Sequence, residues 1–479
     1  MSSRVAGSRS VVLTAVLAVL LMPAEVSASP AHAADPIALT GSDHLTEEDF
    51  GVGGCAWDPI WTQAVPATGL FTSGVAKDYE STLAVDPIDS RRMTAVWLQD
   101  DGRRVGSATS LDGGETWSHE IVPEVTACSG GIHQTSYDTR VVIGPATSGP
   151  SRAYVISTSQ NQPFPDPRAF LTHIGVSTKS LDGSEWSKPV IVDRSGSIDY
   201  PVIAADPVRS DLVYVMWSKR GADATFFSAS RDGGASWTPP SLVRVTPPGH
   251  LSLSELIVLR NGDLATISAE YQVSAVLDAV AGTTSSARVY VARSKDRGAS
   301  WSQPELLAET AGVGSWSLAE AGDALFATWT ELSEGGWTTV IARENEAGWS
   351  EVASFADGDT FVAELAAMPD GTLGLTRYQR RSDPLIQDGK ALTYAVLSHS
   401  HDAGSTWESV DLSPGFDTSH AGVFLGDHGS IEGSDCGFAA TFAGGPGMAT
   451  HGFTDIFFSR VHISTAPQGA CRSHAGDRS

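Results

Sequence analysis

One octapeptide, Ser-x-Asp-x-Gly-x-x-Trp, recurs along this 479-residue chain and constrains its fold more than any other feature. It occurs as Ser110-Leu111-Asp112-Gly113-Gly114-Glu115-Thr116-Trp117. It returns with Ser230, Asp232, Gly234 and Trp237, with Ser294, Asp296, Gly298 and Trp301, and with Ser400, Asp402, Gly404 and Trp407. A copy one residue shorter runs from Ser180 through Asp182 to Trp186, and a worn copy ends at Gly348-Trp349. Each copy follows an alternating apolar run, as at 105–110 and 289–294, so a strand leads into it. The Asp carboxylate can accept backbone N–H groups of the turn it begins, the Gly supplies a positive φ, and the Trp fills space beside the neighbouring repeat. The motif therefore reads as a rigid structural hairpin tip and not as catalytic machinery.

Successive copies lie 49 to 70 residues apart, the size of a four-stranded unit. Each unit opens with an inner strand, at 81–85, 140–143, 201–204 and 256–259. A more apolar second strand follows, at 94–98, 153–158, 212–217 and 324–329. A last unit starts near Val423, with later strands at 438–442 and 456–463, and lacks both the motif and an outer strand. A segment within 37–71 could supply that strand and close the ring, leaving no free edge. The expectation is an all-β, β-propeller fold of four-stranded antiparallel blades, seven in number, with six the alternative count. Glycine, 48 of 479 residues, fits the many tight turns such a fold needs.

The first 33 residues read as a signal peptide. Arg4 and Arg9 precede an apolar run at 11–22, and Ala31-His32-Ala33 offers a small-x-small cleavage site. No later run is long and apolar enough to span a bilayer, so a secreted protein without membrane insertion is expected. Residues 34–76 form an N-terminal segment, 77–465 the propeller and 466–479 a polar tail. The four cysteines, Cys55, Cys128, Cys436 and Cys471, suggest two disulfides in an exported chain. Cys55–Cys128 and Cys436–Cys471 is the favoured pairing of three, since each joins an end segment to the nearest repeat. The formal charge of −25 repels phosphate backbones, which argues against a nucleic-acid partner. No phosphate-binding glycine loop, nucleotide fingerprint, G-x-S-x-G elbow or H-E-x-x-H motif is present.

The Ser-x-Asp-x-Gly-x-x-Trp copies resemble the BNR, or Asp-box, repeats of the sialidase (neuraminidase) superfamily. Glu80-Ser81, Cys128-Ser129-Gly130-Gly131 and Leu425-Gly426-Asp427-His428 look like its secreted bacterial sialidase-like subgroup. The resemblance implies a β-propeller with a glycan-related function. For a sialidase it implies three Arg that clamp the sugar carboxylate, a Tyr activated by a Glu, and an Asp acid/base. The family's Arg-Ile-Pro signature is replaced here by Tyr79-Glu80-Ser81-Thr82-Leu83, a departure that argues against hydrolysis of sialic acid.

In such a ring the inner-strand starts lie on the face opposite the motif tips, and a funnel site belongs there. The residues at that mouth are acidic and aromatic. Glu80, Asp138, Asp199 and Asp427 are the candidate catalytic carboxylates, because converging carboxylates push their pKa values apart and yield an acid and a base. Tyr79, Tyr137, Arg140, Tyr200, Glu255, Trp316, Arg377 and His428 are the candidate substrate contacts. The expected partner is a glycan, and the expected activity is that of a glycoside hydrolase. A non-catalytic carbohydrate- or protein-binding propeller is the alternative. No cofactor motif is evident, although the same carboxylates could bind Ca2+. A monomer is expected.

Overall fold

The computed structural model describes residues 38–45, 78–100, 102–161, 171–219, 221–272, 286–382, 391–419, 423–449 and 454–463. Contacts divide the chain into Met1–Pro36 and Ile37–Ser479, and everything described belongs to the second unit. The expected signal peptide and tail lie outside the described residues, as do Cys55 and Cys471. Neither Cys128 nor Cys436 carries a free thiol.

Seven four-stranded antiparallel sheets follow one another along the chain, so seven is the blade count. Their inner strands are Tyr79–Val85, Thr135–Gly144, Ile198–Ala205, His250–Val258, Val313–Ala321, Asp359–Ala367 and Ser430–Ser434. Blades 1 to 6 run outward in chain order. Blade 7 takes three strands from the C-terminal end, Ser430–Ser434, Gly437–Gly444 and Asp455–His462, and its fourth from Ala38–His44. Ala38 pairs with His462 and His44 with Phe457. The ring closes through this mixed blade, as the missing outer strand predicts.

The second strands are the dry centre of each blade. Trp97, Tyr154 and Trp217 are fully enclosed there. The motif turns bind blade to blade. In the first copy, Gly114 N–H donates to Ser110 Oγ (2.8 Å), and Thr116 N–H donates to Asp112 Oδ1 (2.9 Å). Asp232, Asp296 and Asp402 accept the equivalent N–H from Ser236, Ser300 and Thr406 at 2.8–2.9 Å. The shorter copy differs: Asp182 accepts from Ser184 N–H, two residues on, and Trp186 Nε1–H donates to Ser107 Oγ of blade 1. Trp117, Trp301 and Trp407 sit edge-on against Phe458, Phe227 and Phe355, each on the preceding blade. Trp237 packs in the same way beside the cluster of Tyr154 and Val176. Gly114 is required twice over. Its φ is +89°, and a Cβ there would stand 2.6 Å from Phe458 Cε1. The worn copy is not a tip of this kind: Gly348 closes a tight hairpin from Asn345 into the outer strand Gly348–Phe355.

Five inner strands share an irregularity that aims the site. Their register with the second strand slips once, at Tyr79/Thr82, Tyr137/Arg140, Asp199/Val202, Val313/Trp316 and Phe361/Glu364. These are β-bulges, which bend a strand and re-aim a side chain. Four bulge residues are non-glycine with positive φ: Glu80 (53°), Asp138 (49°), Tyr200 (48°) and Val362 (51°). Left-handed backbone at such residues is uncommon and persists only where its surroundings hold it.

Candidate functional site

The bulges tie neighbouring blades together through the site itself. Asp138 N–H donates to Glu80 Oε2 at 3.2 Å, and Tyr200 N–H donates to Asp138 Oδ2 at 3.0 Å. Each acidic bulge residue thus caps the bulge of the next blade, and Glu80, Asp138 and Tyr200 form a stepped row across blades 1 to 3. Two residues beyond the bulge stand Arg140, Trp316 and Glu364. Arg140 Nη2 lies 2.5 Å from Glu255 Oε1, and its guanidinium is 5.0 Å from the centroid of the Tyr200 ring. Tyr200 donates its hydroxyl proton to Glu255 Oε1 at 3.3 Å. Trp316 lies 5.6 Å from Tyr200 and 6.3 Å from Tyr271, ring to ring.

The segment Gly426-Asp427-His428-Gly429 enters from blade 7 and crosses this row. A Cβ on Gly426 would meet Glu80 Cγ at 2.8 Å, and one on Gly429 would meet Glu364 Cγ at 3.2 Å. The two glycines let backbone pass against both carboxyl side chains and present Asp427 between them. One oxygen from each of Glu80, Asp138 and Asp427 lies within 4.8 Å of the others, the only such group of three found among the described residues. That spacing would also suit a hard cation with oxygen ligands.

Electrostatics separates these carboxyls. Burial first, and then the charges of Asp427 and Asp138, push Glu80 well above the usual carboxylate range. Asp138 is pushed well up by burial, then by Asp427 and Asp199. Asp427 is raised as well, first by burial, with Arg140 opposing and Asp199 adding, but less strongly than Glu80 and Asp138. With Arg140 as its strongest opposing influence, Asp427 is the readiest of the three to ionise. Burial pushes Glu364 up to about 8, helped by Glu255. Glu255 is raised by burial, offset by Arg140 and the Tyr200 hydroxyl. Tyr200 is raised well above its usual value by burial, so it keeps its proton at neutral pH. His428 is buried and held well below its usual range, by burial and then by Arg140, so it is neutral.

Most of the residues expected at the mouth meet there, and a few are used elsewhere. Asp199 belongs to the group through the charge it exerts on Asp138 and Asp427. Tyr137 donates its hydroxyl proton to the Ile198 carbonyl at 2.9 Å, and Tyr79 packs edge-on against Phe424; both act as struts between segments. Arg377 is turned into the contact between blades 5 and 6. It donates to Ser398 Oγ at 2.6 Å and stacks 4.2 Å from the centroid of Phe355, and burial lowers its pKa to about 10. It is no clamp for a substrate in the funnel. Glu364, one of the acidic residues expected at the inner-strand starts, joins the site, and Tyr271 joins it without having been singled out. Glu364 lies two residues past a bulge that alternation alone does not reveal.

No family model matches the chain, and no curated protein matches it. Solved structures do. The leech intramolecular trans-sialidase aligns with 12% identity and a TM-score of 0.42, over 63% of this chain and 64% of its own, less than two thirds of that enzyme. The GH93 α-L-arabinofuranosidase of Fusarium graminearum aligns with 13% identity and a TM-score of 0.45, over 67% and 92%. A PL25 ulvan lyase aligns with 12% identity and a TM-score of 0.49, over 80% and 94%. At such identities and scores the likeness carries nothing about chemistry.

Proposed function

We propose that this is a secreted, sialidase-like β-propeller of the Asp-box type that hydrolyses glycans in its funnel as a retaining glycoside hydrolase. The observation that carries the reading is the meeting of Glu80, Asp138 and Asp427 within 4.8 Å, two of them buried and one exposed. Such an environment divides labour between carboxyls. The Glu80/Asp138 pair, pushed up by burial and then by the charge of Asp427, holds its proton more tightly than Asp427 and donates it to the leaving glycosidic oxygen. Asp427, ionised, attacks the anomeric carbon, and the deprotonated pair then activates the water that releases the sugar. Carboxyls this close suit the retaining geometry of about 5–5.5 Å better than the wider inverting gap of about 6.5–9.5 Å. Tyr200 and Trp316 supply an aromatic wall for a sugar ring. No cofactor takes part, so EDTA should leave turnover unchanged; Ca2+ on the three carboxylates would displace the proton the route needs. Cys55–Cys128 and Cys436–Cys471 disulfides, a cleaved signal peptide and a monomeric state complete the proposal.

A second reading has its own observation: Glu80 and Asp138 already spend one oxygen each on the next blade's backbone. In a non-catalytic glycan-binding propeller they would be inter-blade clips and nothing more. A panel of aryl glycosides decides between the two. The hydrolytic reading expects turnover of at least one with retained anomeric configuration by NMR. It expects kcat to fall about 10²–10⁴-fold in Glu80→Gln, Asp138→Asn or Asp427→Asn with the fold intact. Glycan binding without turnover would favour the clip reading.

A further inference from the structure

We infer that His399 and His401, at the motif tip of blade 6, form a binding site for a borderline divalent transition metal of the Zn2+ class. The site lies on the face away from the funnel, so it stands or falls apart from the glycan-acting reading. The two histidines flank Ser400, the residue that opens this copy of the motif. The turn itself does not need them. Asp402 accepts the Ser400 hydroxyl proton at 2.9 Å and Thr406 N–H at 2.8 Å. Asp112, Asp232 and Asp296 accept the same two bonds. Those copies carry Thr109 and Leu111, Ala229 and Arg231, and Arg293 and Lys295 in the flanking places. The pair of imidazoles is therefore an addition to the turn chemistry and not a part of it.

The two rings lie 5.0 Å apart, centroid to centroid, with their planes at 80°. Two imidazoles that share one tetrahedral ion at ~2.0–2.1 Å place their centroids roughly 5 Å apart. His399 is 3% exposed, and its Nδ1 has no hydrogen-bond partner. Buried polar atoms in native proteins are nearly always paired, so this nitrogen points to a ligand. Glu408 stands directly opposite His399 in the sheet, and its Oε2 is 4.0 Å from His399 Nε2. That carboxylate favours the proton on Nε2 and leaves the Nδ1 lone pair for an ion. His401 is the converse case: its Nδ1 lies 3.0 Å from Thr372 Oγ1, which leaves Nε2 as the ligand atom. A carboxylate or hydroxyl behind the far nitrogen of each imidazole is the support that metal-bound histidines have. Asp402 is spent on the turn, so water fills the remaining positions on the ion. Imidazole ligands favour Zn2+, Cu2+ and Ni2+ over Ca2+ and Mg2+, which take oxygen.

The test is calorimetric titration of ZnCl2 into the full-length protein at about pH 7.5, where imidazole is mostly neutral, after EDTA treatment and removal of the chelator. The chain should bind one Zn2+ that depends on this pair, and a ~100-fold excess of Ca2+ should not displace it. His401→Ala, at an exposed position, should weaken that binding at least ~10-fold while the urea midpoint in EDTA stays at the wild-type value. Thr372→Val should weaken it about 10-fold by releasing the His401 ring. His173→Ala breaks the other close imidazole pair, His133 and His173 at 4.6 Å, and should leave the titration intact. Zn2+ should also raise the melting temperature of the wild type more than that of His401→Ala. An affinity unchanged in His401→Ala or in Thr372→Val, or lost in His173→Ala, overturns the inference, and so does displacement by Ca2+. None of these results bears on turnover of the aryl glycosides, so the glycan-acting reading is tested separately.

Discussion

Replacing Arg140 with Met takes the guanidinium out of a wall that holds six carboxyl groups, and the cost should be strongly asymmetric with that of its partner. Arg140 and Glu255 are in contact at 2.5 Å, and Arg140 also acts on Glu80, Asp138, Glu364 and Asp427. At an effective dielectric of about 20, one such pair with charge centres ~4 Å apart is worth about 4 kcal/mol before desolvation. Removing the cation leaves several buried carboxyls uncompensated, the situation that costs about 3–5 kcal/mol at a buried ion pair. Glu255→Gln leaves Arg140 with other carboxylates to face and relieves the repulsion between Glu255 and Glu364. Its cost should stay near the ~1.5–3 kcal/mol of one charged hydrogen bond, or below it. Urea midpoints at pH 7 measure both. The Arg140→Met deficit should shrink at pH 5, because carboxyls pushed above their usual range are then protonated and need no counter-ion. A Glu255→Gln variant as damaged as Arg140→Met, or an Arg140→Met midpoint within ~1 kcal/mol of wild type, would refute this account of the wall's charge balance.

Gly114→Ala should cost about 2–5 kcal/mol, from ~1–2 for a left-handed backbone and ~1–3 for driving a Cβ into Phe458, read as a lowered urea midpoint; a change below ~0.5 kcal/mol would mean the tip does not press on blade 7. Glu432, on the inner strand of blade 7, is pushed up to about 8 by burial alone. A carboxyl raised on folding holds its proton longer in the native state, so its contribution is fully present below the unfolded pKa of ~4.5 and is lost as pH rises towards 8. Glu432→Gln should therefore match wild type near pH 4.5 and gain on it by about 2–4 kcal/mol at pH 8, after discounting for partial exposure; a difference in melting temperature that does not vary with pH would reject the shift.

The ring was legible because one turn chemistry repeats. Asp112, Asp232, Asp296 and Asp402 make the same bonds, and a strand on either side of each follows from alternation. Closure was legible from a shortage, since the last unit had no outer strand of its own. The site was legible only as a neighbourhood. Glu80 and Asp138 are true equivalents, but the equivalent of both in blade 3 is Tyr200, with Asp199 one place before it. The bulge that fixes this is invisible to a period-two pattern, because it inserts a residue without a compositional mark. Arg377 illustrates the same limit. One step along a strand exchanges funnel for blade interface, and nothing in Arg377-Tyr378-Gln379-Arg380-Arg381 says which way the first of them faces. Charge count revealed that the mouth is acidic, but not that Arg140 stands against Glu255 within it.

The mixed seventh blade sets a clock on the molecule. Ala38 and His462 pair across 424 positions of sequence. At about 5–20 residues per second, the strand at 38–44 waits roughly 20–85 s of synthesis for its neighbour. Throughout that interval six blades can form while the ring stays open and two strand edges stand ready to pair with the wrong chain. A circular permutant that starts at the inner strand of blade 1 and links His462 to Ala38 through a short connector would make every blade local in sequence and abolish the delay.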